Sequence, residues 1–190
     1  MNIVSIYRLS DGHNKEKQKP EYAGKEDCLR VFTREFSNDN LILFADNVKE
    51  ETFDMAKKYV KEKNIYLTNF GNTGTFLASW QMAYTIAQNV SDDTIFYLVE
   101  DDYIHRRGAK DILVEAFRDL NADYVTLYDH PDKYMNNQDS RFRWGHDKVD
   151  KDVDGVRKPG IIYGTGQEDK IYISESTHWR TVGSTTMTWA

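Results

Sequence analysis

The sequence predicts an α/β fold, with a mostly parallel central sheet, helices on both faces and a small C-terminal β portion. Three observations predict it. Over residues 2–128, short β-prone runs alternate with segments whose apolar residues recur at helical spacing. Several of those runs are continuously apolar, the pattern of strands buried on both faces of a parallel sheet. Beyond residue 160 only short β-like pieces remain, separated by turn residues.

The elements follow in order. "NIVSIY" reads as the first strand, and "KEDCLRVFTREF" puts Cys28, Leu29, Phe32 and Phe36 on one helical face. "NLILFA" is a buried strand, "VKEETFDMAKKYVKEK" an amphipathic helix and "NIYL" a short strand. "GNTG" reads as a Gly-rich turn before the helix "TFLASWQMAYTIAQNV". The strand "TIFYLV" runs into Glu100, Asp101 and Asp102, and "GAKDILVEAFRDL" and "DYVTLY" add a helix and a strand. Residues 129–159 are polar and charge-dense, so they read as a long loop of the functional or disordered kind, able to fold over a bound ligand as a lid. Within it, Phe142 and Trp144 offer flat faces. "GIIYG", "KIYIS", "HWRTV" and "TTMTWA" are the closing β pieces. The final strand has no helix after it, which suggests a cut through a longer polypeptide.

A chain of 190 residues is expected to form one domain, divided here into residues 1–128 and 129–190. The formal charge of −6 lacks the basic excess of a general nucleic-acid binder. No segment has the pattern of a signal peptide or the ~18 apolar residues of a membrane span. The single cysteine, Cys28, makes neither an internal disulfide nor a multi-thiolate metal site, so cytoplasmic residence is the expectation.

Three consecutive acids at a strand end repel one another and resist leaving water, so a bound cation is the natural partner. In open α/β sheets, ligands bind outside the carboxyl ends of the strands. Hard oxygen donors there suit Mn²⁺ or Mg²⁺ shared with substrate phosphates. The bland alternative is a solvated strand end.

A strand, a helix, a strand ending in Asp46, an Asn-Gly turn into a helix, and then "YLVEDD" together resemble the GT-A nucleotide-sugar glycosyltransferases. The likeness is to family-2-like enzymes and to those carrying "EDD" as their form of the DxD motif, and it covers roughly residues 2–128. The chain also resembles the amino-terminal glycosyltransferase domain of a larger chlorella-virus protein. The resemblance implies a Rossmann-like nucleotide-sugar-binding half in residues 1–128 and an acceptor side in 129–190. It implies transfer of a hexose from a UDP-sugar such as UDP-glucose to a glycan or other hydroxyl acceptor, with inversion and with Mn²⁺ or Mg²⁺ as cofactor.

By that resemblance Asp102 ligates the metal, with His178 as a further ligand, while Glu100 and Asp101 contact ribose and donor sugar. Asp46 reads the uracil edge, and Ser5, Tyr7 and Arg8 surround base and ribose. The family often carries an arginine in the helix after the Asn-Gly turn; this chain does not, leaving Asn72, Thr75 and Ser79 as the binding candidates there. Asp101, Asp129 and Glu175 stand as catalytic carboxylates, with an acid past residue 190 as another candidate base. Plainer readings stand beside these. Tyr7 and Trp80 can be core, Asp46 can cap the helix "VKEETF", and His178 can be structural. Two other functions compete: a sugar nucleotidyltransferase, for which "YRLSDGHNK" is a poor match to the expected Gly-rich loop, and a nucleotide- or glycan-binding module without turnover.

Overall fold

The structure is a computed structural model and describes residues 1–12, 21–37, 39–128, 170–180 and 190. Its first half is a β/α alternation: β1 (Ile3–Ser10), α1 (Lys25–Phe36), β2 (Leu41–Asp46), α2 (Glu50–Lys57), β3 (Ile65–Thr68), α3 (Gly71–Ala87), β4 (Ile95–Glu100) and α4 (Ala109–Asp119). A hairpin of β5 (Ile171–Ile173) and β6 (His178–Arg180) follows. The four long strands form one parallel sheet in the order β3-β2-β1-β4. This is the expected α/β arrangement. Among the described residues no helix is long and apolar enough to cross a membrane.

Side-chain alternation along each strand sorts the helices onto two faces. Tyr7, Leu9, Leu43, Ala45, Tyr97 and Val99 share a core with Leu29, Phe32 and Phe36 of α1, Ala56 of α2 and Leu113 and Ala116 of α4. Ile6 and Phe44 point the other way and pack with Ala83 of α3, flanked by Ala78 and Met82. Phe32 is the hub of the larger core, with ring centroids 4.9 Å from Phe36 and 5.2 Å from Tyr7. Truncating such a ring costs roughly 3–5 kcal/mol.

Three local expectations are corrected by tertiary contacts. The helix expected over residues 48–63 ends at Lys57, because the next turn drops Val60 into the core and swings Tyr59 to donate to Glu26 of α1 at 2.9 Å. The segment "GNTG" is the first turn of α3 rather than a turn before it. Gly74 is required there: a Cβ on it would lie 2.7 Å from the Cβ of Phe70. Residues 123–128 form no strand among the described residues, although Val125 and Ala190 exchange both backbone hydrogen bonds at 2.8 Å.

The early start of α3 has a specific cause. A phenylalanine in the N-cap position cannot cap a helix, and here the cap comes from another segment. Asp46, at the end of β2, accepts from the Phe70 N–H at 2.6 Å, the Gly71 N–H at 3.1 Å, the Thr68 hydroxyl at 2.9 Å and the Asn47 amide at 2.9 Å. Its residue is only 3% exposed. Burial raises its carboxyl pKa, but these hydrogen bonds outweigh burial and hold it below the usual value. Asp46 therefore caps α3, not the following helix α2. The amino end of α2 is held instead by Asp11, which accepts from the Lys49 N–H at 2.8 Å and pairs with Lys25 at 2.9 Å.

Replacing Asp46 by alanine strands two part-buried N–H groups at the start of α3, so urea unfolding at pH 7 should show a loss of roughly 1–3 kcal/mol. Because its pKa is lowered on folding, the carboxylate's contribution is present above about pH 4 and disappears as pH falls through the depressed native value. An unchanged midpoint in the variant would contradict the cap.

Candidate functional site

The sheet changes its direction of winding between β1 and β4. From β1 the chain adds β2 and then β3 on one side, with α1 and α2 on one face, then crosses back under α3 to lay β4 on the other side of β1. The carboxyl ends of β1 and β4 are thus adjacent with no helix between them, the place where open α/β sheets bind ligands. Arg8 and Glu100 face each other there in the strand register.

The three acids are held in three different ways. Glu100 is partly buried and pairs with Arg8 at 2.5 Å, and the same guanidinium donates to the Asn72 side chain at 3.1 Å and to its carbonyl at 3.3 Å. It also lies 5.7 Å from the ring centroid of Phe76. Arg8 therefore joins β1, β4 and the first turns of α3. Burial raises the Glu100 pKa more than any other influence; Arg8 opposes it, and Asp102 and Asp101 add to it. Asp101, 3% exposed, turns inward and accepts the Ser10 N–H at 3.1 Å. Asp102 is the more open of the two aspartates.

The turn carrying these acids is pinned from below by His105. Its imidazole is buried among Phe32, Phe36 and Tyr97, with centroids 5.3, 5.2 and 5.7 Å away. Its Nε2 is 2.8 Å from the Tyr97 hydroxyl, and its Nδ1 is buried without a partner. Two residues after Arg106, Gly108 adopts φ +80° and donates its N–H to Glu35 at 2.8 Å. Burial pushes the His105 pKa from 6.5 to about 4, with Glu35 opposing. Sequence reasoning gave this histidine no role. Its spacing from Tyr97 carries no periodic signal that would reveal the contact.

The structure thus brings together Arg8, Asn72, Glu100, Asp101 and Asp102. It keeps other expected ligand contacts inside. Tyr7 is fully buried against Phe32, so its ring is no stacking platform; its hydroxyl is buried without a partner, and burial, then the charge of Asp101, raises its pKa. Ser5 is buried in mid-strand. The Thr75 and Ser79 hydroxyls are buried and donate to the carbonyls one turn earlier in α3, each at 2.8 Å. Asp46 lies at the expected edge, but a nucleobase N–H there would compete with four internal donors.

Glu175 is tied to the end of α4, where it pairs with Arg118 at 2.6 Å and its N–H bonds Asp119. The neighbouring Ser174 and Ser176 bond Glu115. His178 is exposed in β6 opposite Ile173. Asp129, the loop 129–159 with Phe142 and Trp144, and all but Ala190 of the strand expected at 185–190 lie outside the described residues.

Among the described residues, no group of three or more His, Cys, Asp or Glu side chains is gathered to hold a metal ion. The donor chemistry nevertheless fits a hard divalent cation of the substrate-sharing kind, which needs only one or two carboxylates and takes its other oxygens from phosphate and water. Asp102 fits that part; Glu100, committed to Arg8, fits it less well. No protein-family model, curated protein or solved structure matches the chain.

The buried neutral imidazole sets a pH dependence. Because the His105 pKa is lowered on folding, its stabilising effect is complete above pH 6.5 and declines as pH falls toward 4, by about 3 kcal/mol in all. Thermal melts of the parent should fall more steeply over that window than those of His105→Gln. Parallel slopes would contradict the buried neutral state.

Proposed function

We propose that this chain is a metal-dependent glycosyltransferase domain of the GT-A type, transferring a hexose from a UDP-sugar to a glycan or other hydroxyl acceptor with inversion. One observation carries the reading: the winding reversal brings Arg8, the amino end of α3 and the half-buried Asp102 to one strand edge. A diphosphate needs a cationic side chain as well as a divalent cation, and that edge offers the Arg8 guanidinium, while Asp46 occupies the first N–H groups of α3.

In this reading Asp102 holds Mn²⁺ or Mg²⁺, which supplies charge stabilisation for the departing diphosphate. Arg8, oriented by Glu100 and Asn72, binds phosphate or ribose oxygens. Asp101, buried and fixed by the Ser10 N–H, keeps the turn in place rather than touching the donor sugar itself. Asp46 shapes the uracil side chiefly by fixing the start of α3. The acceptor hydroxyl needs a base, and Asp129 is the candidate, since Glu175 is occupied by Arg118. That occupied carboxylate also favours a second reading, a binding module of the same fold without turnover.

Thermal stabilisation by UDP with Mn²⁺ tests the site, because a ligand that binds only the folded state raises the melting temperature. UDP should stabilise the parent only when Mn²⁺ is present, and Asp102→Asn should abolish the effect while leaving the ligand-free melting temperature within a degree or two. Equal stabilisation of the variant would remove Asp102 from the metal site. Release of free sugar from UDP-glucose distinguishes an enzyme from a binding module, and pyrophosphate exchange would indicate nucleotidyl transfer instead.

A further inference from the structure

At the amino-terminal edge of the sheet, one strand length or about 20 Å from the acid triplet, lies a cavity of about 470 Å³. Met1 and Thr94, which lead into β1 and β4, line it together with the second half of α3. Its volume is that of a small-molecule site. Trp80 and Tyr84, one turn apart on α3, present rings that are 38% and 63% exposed, and Tyr124, 69% exposed, lines it as well.

The charge around this aromatic cavity is one-sided. Asp92, Asp93 and Asp123 line it, and among the described residues no lysine or arginine side chain does. Among the described residues that line it, the one cation is the amino group of Met1, 3.5 Å from Asp93. Among these described groups, three carboxylates against one ammonium leave two negative charges beside partly exposed rings. Aromatic faces attract cations through their quadrupole, and nearby carboxylates reinforce that attraction. A neutral apolar ligand would gain from the rings but nothing from the acids, and an anion would be repelled.

The geometry points to a second binding site, for a small organic cation whose ammonium group lies among Asp92, Asp123 and the rings of Trp80, Tyr84 and Tyr124. This site is independent of the proposed transferase reading and stands or falls separately from it.

Benzyltrimethylammonium is a suitable probe, with benzyl alcohol as its neutral counterpart, followed by ¹⁵N–¹H NMR of the full chain. The cation should give saturable shifts centred on the Trp80 indole N–H and the Tyr84 and Thr94 amides, with affinity on the order of millimolar. Asp92→Asn combined with Asp123→Asn should weaken it about fivefold, as should Tyr84→Ala. These substitutions fall on exposed side chains; if the double variant fails to fold, Tyr84→Ala gives the same reading. UDP with Mn²⁺ should leave these signals in place. No saturation by about 10 mM, equal binding of benzyl alcohol, or shifts centred elsewhere would each overturn the site.

Discussion

The constraint on which the rest of the structure depends is the reversal of winding between β1 and β4. A parallel strand cannot return beside its neighbour without a crossover, and here the crossover to the far side of β1 must carry α3 onto the face left bare by α1 and α2. Two consequences follow. The strand ends at the reversal are not roofed by a connecting helix, and the amino end of α3 lies close enough for its second residue, Asn72, to meet Arg8. The seam is then fastened by side chains: Arg8 to Glu100 across the strands, and Asp46 to the first N–H groups of α3.

The electrostatics of that edge are a sorting of like charges. Three adjacent carboxylates are tolerable because each has a different environment. Glu100 has a guanidinium, Asp101 has a backbone N–H, and Asp102 retains more contact with solvent. A partly buried ion pair such as Arg8–Glu100 adds little net stability, since desolvation offsets much of the attraction. Its value lies in direction, because it fixes where the Arg8 guanidinium stands against β4 and α3.

Much of this architecture was legible in the sequence. The continuous apolar runs gave β1, β2 and β4, and the spacing of Cys28, Leu29, Phe32 and Phe36 gave α1 to the residue. The acids were legible as lying at the carboxyl end of β4, because strand polarity alone determines that edge. What periodicity missed were long-range decisions. Asp46 looked like a local cap and instead caps a helix 24 residues on. The short α2 reflects the pull of Val60 into the core, and Tyr7, set beside the base by the resemblance, is sealed under Phe32 as its plainer core reading had it. Hydroxyls at Thr75 and Ser79 read as ligand contacts, but inside a helix they can turn back to the preceding turn.

The two fastenings of the acid-bearing turn differ in the length of chain they close. Tyr97 and His105 are eight residues apart, whereas Arg8 and Glu100 are separated by 92. Closing a short loop is fast and costs little entropy, while the distant pair must wait for β1 and β4 to find each other. The shape of the turn can therefore form early, as a local unit, and its charge pattern is completed only when the sheet assembles. A chain caught between those stages would carry the acids in place but without their counter-ion.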